Sequence, residues 1–279
     1  MAVRVVTDSA SDLTDEVAAE LGVEVVPLSI RFGDEEFVDR RDLTPAAFYD
    51  KLASSAVLPE TAAPSPGAFQ AAFRKAFDEG ADAVVCINIS SGVSATMQSA
   101  QNAAGSLEGT PDVRVLDSRS VTWGLGSQVV AAARAAGDGA TADEVVAVVE
   151  DMVPRTRVFG ALDTLENLKK GGRVGGAQAL VGTLLSIKPV IDVSSGVVEE
   201  AGKPRTRSKA LKFLADKVAE HRHVENLAVM HGSAPDVEQF LDLLAPLFPR
   251  EQIHVGEIGA TIGVHGGPRV MGVTFQVRG

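Results

Sequence analysis

Short apolar runs alternate with longer amphipathic stretches over most of this chain, and few folds are compatible with that order. Residues 3–6, 83–89 and 272–277 are such runs, rich in aliphatic side chains and bounded by polar residues or glycine, which is typical of buried strands. The stretches between the runs are long enough for helices. The pattern therefore predicts an α/β fold, with strands in sheets and helices covering them.

The alternation continues past the Val-Pro-Arg segment at residues 153–155, where we place a domain boundary. It separates an N-terminal α/β domain, residues 1–155, from a C-terminal α/β domain, residues 156–279. In the first domain, residues 59–67 contain three prolines and are predicted to form a loop. In the second, helices are predicted on either side of a glycine-rich turn at residues 171–176.

Composition excludes several classes of protein. The net charge of −11 argues against nucleic acid as a ligand, because phosphate contacts require clustered lysine and arginine. The single cysteine, Cys86, lies in an apolar run and is predicted to be a buried thiol in a reducing compartment. A carboxylate at Asp8 comes too early for a signal peptide, and no run approaches the roughly 20 apolar residues of a membrane span. We therefore expect a cytoplasmic protein with no integral membrane segment.

Hydroxyl side chains are concentrated at residues 88–96, where a predicted strand leads into a helix. Backbone N–H groups at a helix N-terminus can hold an anion together with such hydroxyls, and sites in α/β sheets tend to lie beyond the carboxyl ends of strands. The alternative is that Ser91 or Ser94 only caps its own helix. For the cluster as a whole we favour a binding site.

Two further segments have both a functional and a structural interpretation. The prolines of residues 59–67 stiffen the backbone around Thr61, which lowers the entropy lost when a side chain is held toward a ligand, but a plain turn explains them too. Lys170 and Arg173 place positive charge beside glycines in an acidic protein. A helix–turn–helix connection accounts for them equally well, and the segment does not match a phosphate-binding P-loop.

His265 stands among the glycines of residues 258–268 and could donate to an anion or accept a proton. A structural histidine in a tight loop is the alternative. No other histidine, cysteine or carboxylate stands nearby at ligand spacing, so no metal site is predicted. The G-x-S-x-G signature of a nucleophilic serine and the glycine pattern of a dinucleotide site are both absent.

Taken together, these segments resemble the DegV family, and the resemblance covers nearly the whole chain. No single segment is specific, and the resemblance rests on their order and spacing. The segments are residues 7–13 (TDSASDL), Thr61 with 64–67 (PSPG), 89–100 (ISSGVSATMQSA), 117–119 (DSR), 162–165 (LDTL), 169–173 (KKGGR), 203–207 (KPRTR), 231–232 (HG) and 262–268 (IGVHGGP).

The resemblance implies a two-domain α/β fold, with a mainly parallel sheet in the N-terminal domain, a mixed sheet in the C-terminal domain and helices on both faces. It implies that a long-chain fatty acid, such as palmitate, stearate or oleate, is bound near the junction of the domains. Thr61 and Ser94 match positions that hold the carboxylate, with His265 close to them. Arg173 and Arg205 match part of a basic surface beside that end.

In the family this resemblance points to, the bound acid is presented to a separate ATP-dependent fatty acid kinase, which forms an acyl phosphate. The carrier itself is then not an enzyme and needs no cofactor. The chain departs from the family pattern at Ala62 and Ala63, where serine and glutamine are common, so part of the usual polar contact set is missing.

Two other functions remain as alternatives. One is a binding module for another anionic small molecule at the same helix terminus, which is favoured only if the interior is too filled for an acyl chain. The other, with less support, is an esterase or acyltransferase that uses Ser94 with His265. Burial of about 16 carbons at ~0.8 kcal/mol per CH₂ offers on the order of 12 kcal/mol before the cost of ordering the ligand, so an apolar interior would favour a fatty acid.

Overall fold

The computed structural model describes residues 2–109, 111–178 and 187–278, and it arranges their strands in three sheets. The strands are β1 (Val3–Asp8), β2 (Glu24–Val26), β3 (Ser29–Phe32), β4 (Glu35–Val38), β5 (Glu60–Ala62), β6 (Ala83–Asn88), β7 (Asp112–Asp117), β8 (Thr156–Ala161), β9 (Val190–Asp192), β10 (Glu199–Gly202), β11 (Val224–His231), β12 (His254–Glu257) and β13 (Met271–Val277). The helices are α1 (Asp15–Leu21), α2 (Pro45–Ser54), α3 (Pro66–Asp78), α4 (Thr96–Gly105), α5 (Trp123–Gly137), α6 (Ala142–Arg155), α7 (Glu166–Lys170), α8 (Arg207–Ala219), α9 (Val237–Leu244) and α10 (Ala260–Gly266).

The N-terminal sheet is parallel, in the order β2-β1-β6-β7. Its strand β6 is buried along its whole length because helices cover both faces, as expected for a central parallel strand with a continuous apolar run. Val85 belongs to an apolar cluster with residues of α5 and α6, whereas Cys86 belongs to a cluster with residues of α3 and α4. The predicted parallel sheet with helices on both faces is therefore confirmed, and so is the buried thiol.

The C-terminal sheet is mixed, in the order β10-β9-β8-β13-β11-β12. β11 pairs with β12 in parallel, and the other neighbouring strands pair antiparallel, which confirms the predicted mixed sheet. Helices α8 and α9 cover one face. The other face packs against the first half of the chain, since Val158 and Met230 share an apolar cluster with Val5 and Val85. The two halves thus share a core, and a division at residue 155 stays a prediction.

A third sheet has the order β4-β3-β5. The prediction of a loop over residues 59–67 is therefore wrong for the three residues of β5. Thr61 of β5 lies opposite Ile30 of β3 in an antiparallel pair. The prolines of this segment lie outside the paired residues, so they remove no hydrogen bond of the pairing. Shortly after β5, Ser65 caps α3 by accepting a hydrogen bond from the N–H of Ala68. β5 is therefore a short edge strand that brings Thr61 to a fixed place.

The segment around His265 is a helix, α10, so the alternative of a tight loop is wrong. Glycine in this helix allows close packing, because a Cβ atom at Gly263 would lie 2.6 Å from the Phe48 ring of α2. α7 precedes the glycines of residues 171–176 as predicted, and the helix predicted after them falls mainly on residues 179–186, outside the described ranges. In the part of the chain that the structure describes, no helix has both the length and the hydropathy needed to cross a bilayer.

Candidate functional site

A cavity lies between the C-terminal sheet and the residues that follow β6 and β7 in the N-terminal sheet. This position agrees with the tendency of α/β proteins to bind ligands beyond the carboxyl ends of parallel strands. The empty space is ≈ 830 Å³, open solvent at its mouth included. Most of the wall is aliphatic: Ile89, Val121, Val158, Leu162, Ile191, Val193, Val198, Ile258 and Ile262. Such a wall suits an apolar ligand.

One part of the wall is polar and contains Thr61, Ser94, Arg173 and His265. Thr61 comes from β5 and His265 from α10, 204 positions apart in the sequence, and the distance between Thr61 Oγ1 and His265 Nε2 is 2.9 Å. Thr61, Ser94 and His265, the three residues expected to hold a carboxylate, therefore line the same cavity. Arg173 lines it with them.

His265 is half-buried in this polar end. Its Nδ1 atom is buried and has no hydrogen-bond partner in the part of the chain that the structure describes. Gly171 lies so close that a Cβ atom there would be 2.3 Å from Nδ1. Burial lowers the pKa of the imidazole from 6.5 to about 4, and the positive charge of Arg173 adds to this effect. The ring is therefore neutral near pH 7, where it can donate one hydrogen bond and accept another.

Ser94 contacts the start of α4 and also lines the cavity. Its Oγ accepts a hydrogen bond from the backbone N–H of Thr96, the first residue of α4, and lies 2.8 Å from the Thr96 hydroxyl. Ser91, in contrast, is exposed and donates to Asp117. Both interpretations of the hydroxyl cluster therefore apply to Ser94, and only Ser94 of this pair reaches the cavity.

The two arginines proposed for one basic surface occupy different environments. Arg173 is half-buried on the cavity wall, where its Nε donates to the carbonyl of Val93 (3.1 Å) and its Nη1 to the carbonyl of Gly171 (2.6 Å). Arg205 is exposed between β10 and α8 and does not line the cavity. Arg173 therefore contributes positive charge to the polar end itself.

A pair of buried carboxylates, which the sequence interpretation missed, holds the first turn of α10. Asp12 accepts hydrogen bonds from the N–H of Gly259 (3.0 Å) and the hydroxyl of Thr122 (2.6 Å). Asp39 accepts one from the hydroxyl of Thr261 (2.6 Å). These contacts tie α10 to the first half of the chain and so position His265 one turn later. Asp12 lies within the TDSASD segment, which could have marked it as a functional residue. No local pattern distinguishes Asp39 from the other acidic residues of the chain.

Both carboxylates are destabilised as anions by their surroundings. Burial raises the pKa of Asp12 to about 7, although its two hydrogen bonds act in the opposite direction. Burial likewise raises the pKa of Asp39, whose Oδ1 atom is buried without a hydrogen-bond partner among the described residues. Such costly groups persist where they fix a particular arrangement.

The polar end does not have the arrangement of a serine hydrolase. A nucleophilic serine needs a hydrogen bond to its general base, but the Ser94 hydroxyl contacts Thr96 and the His265 imidazole contacts Thr61. Within residues 2–109, 111–178 and 187–278, no group of three or more histidine, cysteine or acidic side chains could hold a metal ion. The arrangement is that of a binding site with an apolar wall and one polar end.

Comparison with known proteins agrees with this geometry. The DegV family model, described as that of an uncharacterised protein family, matches residues 2–278. A DegV domain-containing protein of Deinococcus radiodurans is 36% identical over 286 residues, 99% of each chain. A DegV family protein from Thermus thermophilus, described by its fatty acid binding, superposes with a TM-score of 0.90 at 34% identity, and the fatty-acid-binding DegV of Bacillus subtilis with 0.87 at 27%, each over 100% of both chains. The chain therefore belongs to the DegV family.

Proposed function

We propose that this protein binds a long-chain fatty acid, such as palmitate, stearate or oleate, in the cavity. The carboxylate lies among Thr61, Ser94 and His265, and the acyl chain extends along the aliphatic wall. The observation that carries the proposal is a mostly aliphatic cavity with the contact between Thr61 and His265 in its wall, since such a cavity matches an amphipathic ligand with one charged group. The fatty acid binding described for the Thermus and Bacillus proteins supports the same ligand class.

The polar end has the groups that a buried carboxylate needs. Loss of hydration is costly for an anion unless several donors replace water, and charge-assisted hydrogen bonds are about twice as strong as neutral ones. The hydroxyls of Thr61 and Ser94 are donors, and Arg173 supplies a positive charge. A bound carboxylate also raises the pKa of His265 toward its ordinary value, because an opposite charge favours the protonated ring.

The two alternatives fit the cavity less well. A small polar anion would leave most of the aliphatic wall without a partner, which disfavours a general anion-binding module. An esterase or acyltransferase would need Ser94 and His265 in contact, and each has a different hydrogen-bond partner. A fatty acid carrier requires neither a catalytic residue nor a cofactor of its own.

The first test is to denature the purified protein gently, extract it with solvent and identify the released molecule by mass spectrometry. A stoichiometric long-chain fatty acid supports the proposal. An empty extract, from protein that also fails to take up added palmitate and oleate, contradicts it and favours an anionic small molecule.

Replacing Thr61 and Ser94 together by alanine tests the assignment of the polar end. We expect palmitate to bind about 100-fold more weakly, because two hydrogen bonds to a charged group are lost at about 1.5 kcal/mol or more each. Ser91→Ala, which removes an exposed hydroxyl outside the cavity, is the matched control and should bind normally. Equal affinity of the double variant and the control would remove these hydroxyls from the proposed site.

We further propose that the loaded protein presents its fatty acid to an ATP-dependent fatty acid kinase. Arg205, exposed and outside the cavity, serves as a docking residue, whereas Arg173 belongs to the cavity wall. Arg205→Ala should therefore slow acyl-phosphate formation by a partner kinase without loss of bound lipid. Arg173→Ala should reduce both. Lipid loss in the Arg205 variant equal to that in the Arg173 variant would contradict this division.

A further inference from the structure

The C-terminal end of α10 has a backbone carbonyl that its own helix cannot pair. In an α-helix the carbonyl of Val264 would accept from the N–H of residue 268, but that residue is Pro268, which has no N–H. The side chain of Asn167 in α7 takes this place, and its Nδ2 donates to the Val264 carbonyl at 3.0 Å. Asn167 is only 5% exposed, so loss of this donor would leave a buried carbonyl unpaired.

The same side chain fits the residue at which α10 ends. Gly267 has a φ angle of +76°, in the left-handed region that favours glycine. Its N–H donates to the carbonyl of Gly263 at 2.8 Å, which closes the last turn of the helix. A Cβ atom at Gly267 would lie 3.0 Å from Asn167 Oδ1. Asn167 therefore contacts the chain on both sides of His265.

The backbone of Asn167 holds the other partner of the imidazole. Its carbonyl accepts a hydrogen bond from the N–H of Gly171 at 2.9 Å, and Gly171 is the residue that packs against His265 Nδ1. The carbonyl of Gly171 in turn accepts from Arg173 Nη1. One residue thus connects the helix that carries His265 with the turn that carries Arg173.

Asn167 itself lies outside the cavity wall, although its neighbour Leu168 belongs to that wall. It therefore acts on a ligand only through the residues that it holds. Asp12 and Asp39 fix the first turn of α10, and Asn167 fixes the last turn, where His265 stands. Without the amide of Asn167 the end of α10 is released, so the ring moves away from Gly171 and gains contact with water.

We propose that Asn167 is a positioning residue of the polar end, which fixes the imidazole of His265 against Gly171 with Nε2 facing Thr61. The inference rests on the proposed fatty acid binding and adds to it a residue that does not contact the ligand. A purely structural amide would stabilise the fold without controlling the environment of His265, and this difference can be measured.

The test compares wild-type protein, Asn167→Ala and Val145→Ala. NMR titration of the histidine rings in lipid-free protein gives the pKa of His265, with His265→Gln to assign its signal. We expect Asn167→Ala to raise that pKa from about 4 toward 6.5, because the ring loses burial and its place beside Arg173. Palmitate should bind about tenfold more weakly.

Val145→Ala is the matched control. Val145 is fully buried in α6 and lies outside the cavity wall, so this variant loses stability through packing alone. It should keep the wild-type pKa of His265 and the wild-type affinity for palmitate. If Asn167→Ala does not fold, Asn167→Ser takes its place, because its hydroxyl is one bond too short to reach the Val264 carbonyl, and it should show the same changes.

The outcomes separate this inference from the function on which it rests. Wild-type protein that binds no fatty acid overturns the proposed function, while the titration of lipid-free protein still decides whether Asn167 positions the ring. An Asn167 variant with the wild-type pKa of His265, or with a loss of affinity no greater than that of Val145→Ala, overturns the positioning role.

Discussion

The polar end of the cavity and the sheet face along its wall are built in different ways. Thr61, Ser94, Arg173 and His265 come from four separate segments, and the contact between Thr61 and His265 spans 204 positions. The sheet face comes from adjacent strands, where hydrogen-bonded pairing fixes each residue in its row. The polar end therefore depends on contacts elsewhere, such as those of Asp39 with α10, while the sheet face depends mainly on its own ladder.

The difference indicates that the two regions can be altered separately. Changes in the sheet should affect mainly stability, whereas changes in the contacts that hold α10 should affect mainly affinity for the proposed ligand. Three predictions test this separation.

The largest effect on stability is expected from Leu162→Ala in the wall next to β8. Leu162 is fully buried, and replacing a buried leucine by alanine costs about 2–5 kcal/mol in the free energy of unfolding. The measurement is urea unfolding of lipid-free protein. Leu243→Ala on α9, where the side chain is 37% exposed, is the control and should change the free energy by less than about 1 kcal/mol. Similar losses for both would mean that the wall contributes no special stability.

An intermediate effect is expected from Thr261→Val, which removes the hydroxyl that α10 donates to Asp39. Removing one donor from a buried carboxylate lowers the free energy of unfolding by about 1–3 kcal/mol. Affinity for palmitate should fall as α10 loosens. Ser9→Ala removes another donor to the same Asp39 oxygen but leaves the Thr261 hydrogen bond in place, so it should lower stability and leave affinity nearly unchanged. Equal losses of affinity would contradict the positioning role of the Thr261 contact.

The third effect depends on pH and is expected from protonation of His265. Because burial lowers the pKa of its ring from 6.5 to about 4, the native state binds fewer protons than the unfolded state in this interval. The stability contributed by this group is therefore lost as the pH falls from about 6.5 to about 4. Lipid-free His265→Gln should show a shallower loss of unfolding free energy over that interval, whereas His223→Gln, an exposed position, should follow the wild type. A His265 variant with the wild-type slope would contradict the lowered pKa.

Features that depend on local pattern could be predicted from the sequence. The apolar run of β6 and its place in a parallel sheet follow from burial on both faces. The segments that carry Thr61, Ser94 and His265 are recognisable because each combines polar residues with prolines or glycines, and their order matches the DegV family.

Features that depend on distant contacts could not be predicted. β5 is a strand only because β3 is available to pair with it. α10 contains two glycines, which are poor helix formers, and tertiary packing such as that of Gly263 against Phe48 overrides this propensity. The link between Asp39 and Thr261 spans 222 positions, and no spacing rule relates such residues. The sequence shows the charge of Arg173 but not its position in the cavity wall.

The position of β13 in the C-terminal sheet has a consequence for biosynthesis. β13 follows all the other described strands in sequence, yet it lies between β8 and β11 in the middle of the sheet. A ribosome-bound nascent chain that lacks residues 271–277 therefore has a sheet divided in two, with the cavity wall open along the gap. The cavity wall is therefore complete only after this strand has left the ribosome, and the proposed ligand cannot be enclosed before then.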